Sequence, residues 1–209
     1  MVNIIIRNVA KNDLDAVLKV EEEAWPPETR APREKFEERL NVFFRGFFVA
    51  ELNGEIVGVT TSQIFKYDPK NPPSSWTEAT ADGNISKTHN LNGNAIYVVS
   101  LGVSPRGRPD GKGLGVGSAL LERQKQLAKE FNLGYLLLCS RVPEYDKYCR
   151  EQKEIPIKEY VNLRRDGLPL DKELRFYERL GLRQVKISPN AMEDLESRNY
   201  GVMMEWEVK

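Results

Sequence analysis

Residues 97–121 read Tyr97-Val-Val-Ser-Leu-Gly-Val-Ser-Pro-Arg-Gly-Arg-Pro-Asp-Gly-Lys-Gly-Leu-Gly-Val-Gly-Ser-Ala-Leu-Leu121, and the reading of this stretch decides the fold. An apolar run over 95–103 predicts a strand that enters a basic, glycine-rich turn. The turn opens into an amphipathic helix with Leu120, Leu121, Gln124, Leu127 and Ala128 near one face. Gly113, Gly115 and Gly117 carry no Cβ, so a ligand can approach the backbone. The first N–H groups of a helix lack partners inside it, and its dipole attracts anions. The stretch therefore predicts a pyrophosphate cradle, with Arg106, Arg108 and Lys112 close enough to meet further phosphate charge.

Spacing separates the possible phosphate ligands. A nucleoside-triphosphate loop needs four residues between its first glycine and the Gly-Lys pair, then Ser or Thr. Here three residues separate Gly107 from Gly111, and Gly113 stands where the hydroxyl belongs. A dinucleotide fingerprint needs Gly-x-Gly-x-x-Gly early in a strand–turn–helix unit. Gly113-x-Gly115-x-Gly117 is one residue short and comes mid-chain. Lys112-x-x-Gly115-x-Gly117-Ser-Ala-Leu-Leu121 instead resembles the Arg/Gln-x-x-Gly-x-Gly/Ala signature of the GNAT acetyltransferase superfamily. Ser100-Leu-Gly-Val-Ser-Pro105 resembles that family's fourth strand, and Leu174-Arg-Phe-Tyr-Glu-Arg-Leu-Gly-Leu182 its later helix-then-strand motif. Lys112 stands where the family has Arg or Gln, and the turn is longer than usual.

Composition narrows the field further. With 31 basic and 31 acidic residues in 209, no net field steers the chain toward nucleic acid or a membrane. The length predicts one domain, 1–209, carrying insertions near 66–94 and 140–170. No apolar run is long enough to span a bilayer, and the first residues lack the pattern of an export signal. Cys139 and Cys149 therefore read as reduced thiols, and the expected location is cytoplasmic. One histidine and two cysteines without ligand spacing predict no metal site.

Along the chain, a strand over 4–7 precedes a helix capped at Asn12 or Asp13, with Leu14, Val17, Leu18 and Trp25 at helical spacing, ended by Pro26-Pro27. A second helix covers 33–42 and buries Phe36 and Leu40. Strands over 47–52 and 56–65 are joined by Asn53-Gly54, a hairpin signal. Further elements are the strand over 135–139, a short helix near 157–163, a helix over 171–180 ended by Gly181, and strands over 182–187 and 202–208. This order is similar to the GNAT fold, an α/β arrangement with a mixed, mostly antiparallel sheet, flanking helices and two insertions. Trp76-Thr-Glu78, Thr88-His-Asn90, Arg141-Val-Pro143 and Glu196-Ser-Arg-Asn-Tyr-Gly-Val202 also resemble acetyltransferase modules fused to carbon–nitrogen hydrolases in some bacterial proteins. The charge runs Glu21-Glu-Glu23 and Arg164-Arg165 read as solvated faces.

The resemblance implies acetyl-CoA as co-substrate. It would be held by Leu101, Gly102, Val103, Arg108, Lys112, Gly113, Leu114, Gly115, Val116, Gly117 and Ser118, with the backbone of Leu101 and Val103 exposed by a splayed strand. It further implies Tyr177 as general acid, since a phenol of pKa about 10 stays protonated beside a thiol of about 8.5. The Asn that often precedes that tyrosine is replaced by Leu170. No carboxylate sits on the fourth strand, leaving Tyr97, Ser100, Glu51, Glu78 and His89 as candidates for proton removal. Trp25, Trp76, Tyr145 and Tyr148 are candidates for the acceptor pocket. The expected activity is direct acetyl transfer to a primary amine of a small molecule or protein. A non-catalytic acyl-CoA sensor is the alternative, and an edge strand near the C-terminus would allow a homodimer.

Overall fold

The strand expected over 95–103 forms over that span and becomes the axis of the sheet. The structure is a computed structural model that describes residues 3–107 and 115–208. In chain order its elements are β1 (Ile4–Asn8), α1 (Leu14–Ala24), α2 (Arg33–Phe43), β2 (Phe48–Leu52), β3 (Glu55–Phe65), α3 (Trp76–Thr80), β4 (Ala95–Val103) and α4 (Val116–Glu130). There follow β5 (Tyr135–Ser140), α5 (Tyr145–Glu151), α6 (Ile157–Tyr160), β6 (Arg164–Arg165), β7 (Leu168–Pro169), α7 (Lys172–Arg179), β8 (Arg183–Ser188) and β9 (Gly201–Glu207).

Seven strands form one sheet in the order β1-β2-β3-β4-β5-β9-β8, and β6 pairs with β7 separately. Only the β4–β5 pair in the large sheet is parallel. The β2–β3 hairpin turns through Asn53 and Gly54, both at positive φ (53° and 82°), as a two-residue turn matched to strand twist requires. Period-two alternation then sorts the side chains. Phe48, Ala50 and Leu52 join the cluster built on Leu120, Leu121 and Leu127 of α4. Phe47 and Val49 join Val17, Val20 and Phe36 of α1 and α2.

Two local features of β4 position the site. Val99 is an extra residue in the β3–β4 register, where Thr61 pairs with Ser100 but Ser62 with Val98, so the strand bulges there. Pairing with β5 stops at Val98↔Leu138, while β5 continues alongside β9 as far as Ser140. From Val99 onward β4 and β5 diverge, and the cleft between them is open to a ligand. At the other end of the site, Asp171 caps α7 by accepting the N–H groups of Glu173 (2.9 Å) and Leu174 (3.2 Å).

Candidate active site

The parted strands open onto a cavity of about 550 Å³. It is lined by Leu101, Gly102 and Val103 of β4, by Gly115, Val116, Gly117 and Ser118 at the start of α4, and by Tyr177 of α7. The cavity thus brings together residues 76 positions apart in sequence, from Leu101 to Tyr177. Arg108, Lys112, Gly113 and Leu114 lie outside the described residues.

The glycines here have distinct roles. Gly115 is the N-cap of α4 at φ 82°, a conformation other residues enter at a cost, and among the described residues a Cβ on it would meet nothing within 4 Å. Gly115 lines the cavity. Gly117 differs from the sequence reading: its missing Cβ makes room for protein, since a Cβ would lie 3.3 Å from Cζ of Phe176. A Cβ on Gly102 would lie 2.8 Å from Nε1 of Trp25, so this glycine seats the indole against β4.

Arg106, expected near phosphate, is not among the residues lining the cavity. Its guanidinium pairs with Glu23 (3.1 Å) and Glu55 (2.9 Å), because the turn folds back onto α1 and the β2–β3 hairpin. Among the described residues, positive charge at the cavity comes from Lys172, Arg175 and Arg179 of α7 and from Arg141. Arg175 is tied to the carbonyls of Pro169 and Leu170, both at 2.8 Å. Lys172, Arg175 and Arg179 recur at helical spacing, a signal present in the sequence itself.

The carboxylate missing from β4 also comes from α7. Glu173 lines the cavity one turn before Tyr177, with its side chain 29% exposed. Burial pushes its carboxyl up to about 7, although Arg141, whose Nη1 is 4.0 Å away, and Lys172 pull the other way. Tyr177 is raised above the ordinary phenol value, first by burial and then by the neighbouring Glu173 charge. Arg141 is fixed by Asp194, with Nε–Oδ2 and Nη2–Oδ1 both at 2.7 Å, and by Glu196 at 2.8 Å.

A second cavity, of about 240 Å³, shares Trp25 and Arg141 with the first and touches β4 at Val99 and Ser100. Trp76 lines it and donates from Nε1 to the carbonyl of Val99 at 2.8 Å, holding the bulge. Glu21, expected on a solvated face, is 3% exposed here, because the 26–32 segment and α2 fold over it. Its Oε1 accepts the N–H of Ala31 at 2.8 Å, its Oε2 has no partner, and burial raises its pKa. Arg164 and Arg165 are exposed as expected.

Of the candidates for proton removal, Ser100 lines the small cavity, and His89, Glu51, Glu78 and Tyr97 line neither. Nδ1 of His89 accepts the N–H of Ile64 at 3.2 Å, and its ring packs on Phe43, so it is structural. Glu51 pairs with Arg7, and Glu78 accepts from Ser74. Tyr97 is fully buried. Tyr145 donates to the carbonyl of Ile155 at 2.8 Å and packs, like Tyr148, on Tyr160. Of the four aromatics expected at an acceptor pocket, Trp25 and Trp76 line the small cavity, whereas the two tyrosines pack the insertion. Cys139 lines it too, with burial pushing the thiol up to about 12. Among the described residues no three His, Cys, Asp or Glu side chains cluster to hold a metal, and no helix is long and apolar enough to cross a membrane.

Comparison with known proteins agrees with this geometry. Residues 14–146 match the acetyltransferase (GNAT) family. The chain is 35% identical over 205 residues to the uncharacterized N-acetyltransferase YkwB of Bacillus subtilis (strain 168), covering 96% of this chain and 87% of that one. It is 30% identical over 203 residues to the probable hydrolase YhcX of the same organism, covering 97% of this chain but 38% of the relative, in keeping with the resemblance to hydrolase-fused modules. Among solved structures, the GphF GNAT-like decarboxylase in complex with isobutyryl-CoA superposes with a TM-score of 0.82 at 26% identity, over 98% of this chain and all (100%) of the other. The parted β4, the glycine cap of α4 and these matches together establish that the chain belongs to the GNAT acetyltransferase family and is an acetyl-CoA-dependent acyltransferase.

Proposed function

We propose that the protein moves the acetyl group of acetyl-CoA directly onto a primary amine, with both substrates bound together. The observation that carries this reading is the single cavity joining the parted edge of β4, the start of α4 and the Glu173–Tyr177 face of α7. The residues fit the co-substrate. In this reading the N–H groups at the start of α4 and the α7 cations meet phosphate, and the edge of β4 past its last pair with β5 accepts the pantetheine arm as an added strand. The small cavity beyond Trp25 and Arg141 takes the amine.

The amine nitrogen forms its bond to the thioester carbonyl carbon, and the carbon–sulfur bond breaks. Glu173 takes the proton the amine gives up, and the Tyr177 hydroxyl protonates the departing thiolate. Glu173 then returns its proton to Tyr177 one turn away, which restores both groups. A carboxyl near 7 suits proton removal at neutral pH. Direct transfer is favoured over an acyl-enzyme because Cys139, the thiol on the acceptor cavity, stays protonated. Glu173 also favours catalysis over a purely sensing role, since it supplies the base β4 lacks. The test is amine-dependent release of CoA thiol from acetyl-CoA; binding without transfer across a broad amine panel would leave only the sensor.

A second reading concerns the donor. Similarity to a decarboxylase solved with isobutyryl-CoA favours an acyl group larger than acetyl. Parallel assays with acetyl-, isobutyryl- and malonyl-CoA, following CoA thiol and CO₂, separate the two.

A further inference from the structure

The acceptor cavity carries two buried charges of opposite sign that do not meet. Glu21 is 3% exposed with Oε2 unpartnered, and Arg39 is 1% exposed. Nε of Arg39 donates to the carbonyl of Gly83 at 3.0 Å, and Nη1 reaches the hydroxyls of Thr61 and Ser100, both at 3.4 Å. All three are neutral acceptors, and no ion pair to Arg39 forms among the described residues. Each is a leading opposite charge for the other, yet both stand on the wall of one cavity without contact.

Arg39 has neutral acceptors and the Phe36 ring but no carboxylate, and Glu21 has a free oxygen; a buried charge without an ionic partner is costly, and a ligand of opposite charge would relieve that cost. Among the other charges on this wall, Lys35 pairs with Asp82 and Arg141 with Asp194, while Glu28, Arg30 and Glu193 line it without being buried. At about 240 Å³ the cavity is smaller than the ~300–1,000 Å³ of sites for drug-sized ligands. The indoles of Trp25 and Trp76 supply apolar walls that also suit a cation.

We propose that the acceptor is a small amino carboxylate, such as a free amino acid, bound with its ammonium group at Glu21 and its carboxylate at Arg39. This rests on the acetyltransferase reading above. Recognition at Glu21 is electrostatic; the ammonium gives one proton to bulk water before it attacks, and Glu173 takes the second as the carbon–nitrogen bond forms. Because Glu21 lies one turn before Trp25, which lines both cavities, an amine held there stands at the boundary where the thioester arrives.

The experiment uses the full chain. Calorimetry with acetyl-CoA first tests the parent reading, and without binding both ideas fall. Where acetyl-CoA binds, turnover is compared for free amino acids, their methyl esters and the amines lacking the carboxylate. The proposal expects kcat/KM for the acids to exceed both analogues by about 100-fold or more. Arg39→Gln should abolish that preference, and Glu21→Gln should raise KM for every amine, with acetyl-CoA affinity kept in both. Equal rates for acids, esters and simple amines overturn the proposal while leaving the acetyltransferase reading intact. So does a wild-type protein that binds CoA yet shows no thermal shift with any amino acid, a readout that needs neither turnover nor a folded variant. Loss of malonyl-CoA affinity in Arg39→Gln, with acceptor preference unchanged, would assign the guanidinium to the donor and overturn it as well.

Discussion

Glu173 and Tyr177 carry the chemistry proposed here, and their side chains make separable predictions. Tyr177→Phe should lower kcat by about 10²-fold or more while acetyl-CoA affinity stays within a factor of a few, measured by steady-state kinetics and calorimetry. Glu173 is needed as carboxylate, so kcat/KM should rise with pH through about 7, and Glu173→Gln should flatten that limb. Stability runs the opposite way. A carboxyl whose folded pKa lies above its unfolded value binds more protons when folded, so its contribution is present at low pH and lost as pH rises through about 7. Glu173→Gln should therefore unfold at higher urea than the parent at pH 8, by about 1–2 kcal/mol, and match it near pH 4. Arg141→Ala should destabilise by about 3–5 kcal/mol in the same assay, because it strands the buried Asp194 carboxylate. Tyr177 was legible from its motif. Glu173, four residues earlier on the same helix, belongs to no motif that would single it out, and only the fold brings it to the cavity beside Tyr177. Glu21 was misread because consecutive glutamates look solvated, and only the tertiary fold of 26–32 and α2 covers the first of them.

At the scale of elements, the strand–turn–helix unit made the architecture readable. β4 has the bounds the apolar run gave, and α4 begins where Gly117-Ser-Ala-Leu-Leu121 falls into helical phase. The insertions were less legible. The five-residue α3 and seven-residue α5 bury few side chains of their own and are held by distant contacts, such as Trp76 on Val99 and Asp146 on Glu196. The paired β6–β7 turn, two residues a side, leaves no periodic signal. The parting of β4 and β5 was implied by resemblance alone, since no local pattern reports where strand pairing stops. Gly115 tests the cap itself. Gly115→Val places a β-branched residue at φ 82° and should cost about 1–2 kcal/mol in thermal or urea unfolding. It should also weaken acetyl-CoA binding by tenfold or more, because the new side chain occupies the open side of the turn. Unchanged affinity would place the diphosphate elsewhere.

Over the whole molecule, two cavities meet at Trp25 and Arg141: the larger is floored by the split sheet and the smaller roofed by α1, α2 and α3. In the proposed reaction, acylated carrier enters from one side and acceptor from the other, and they meet beside the bulge in β4. A ligand filling the larger cavity binds only the folded state, so saturating acetyl-CoA should raise the unfolding midpoint in proportion to its affinity. The central claim is that this cavity receives the CoA diphosphate and thioester, and isothermal titration of the purified chain with acetyl-CoA tests it most directly. The account predicts one-to-one binding in the micromolar range, weakened by Gly115→Val and unaffected by Tyr177→Phe. Absence of heat and of any thermal shift up to millimolar acetyl-CoA would contradict it.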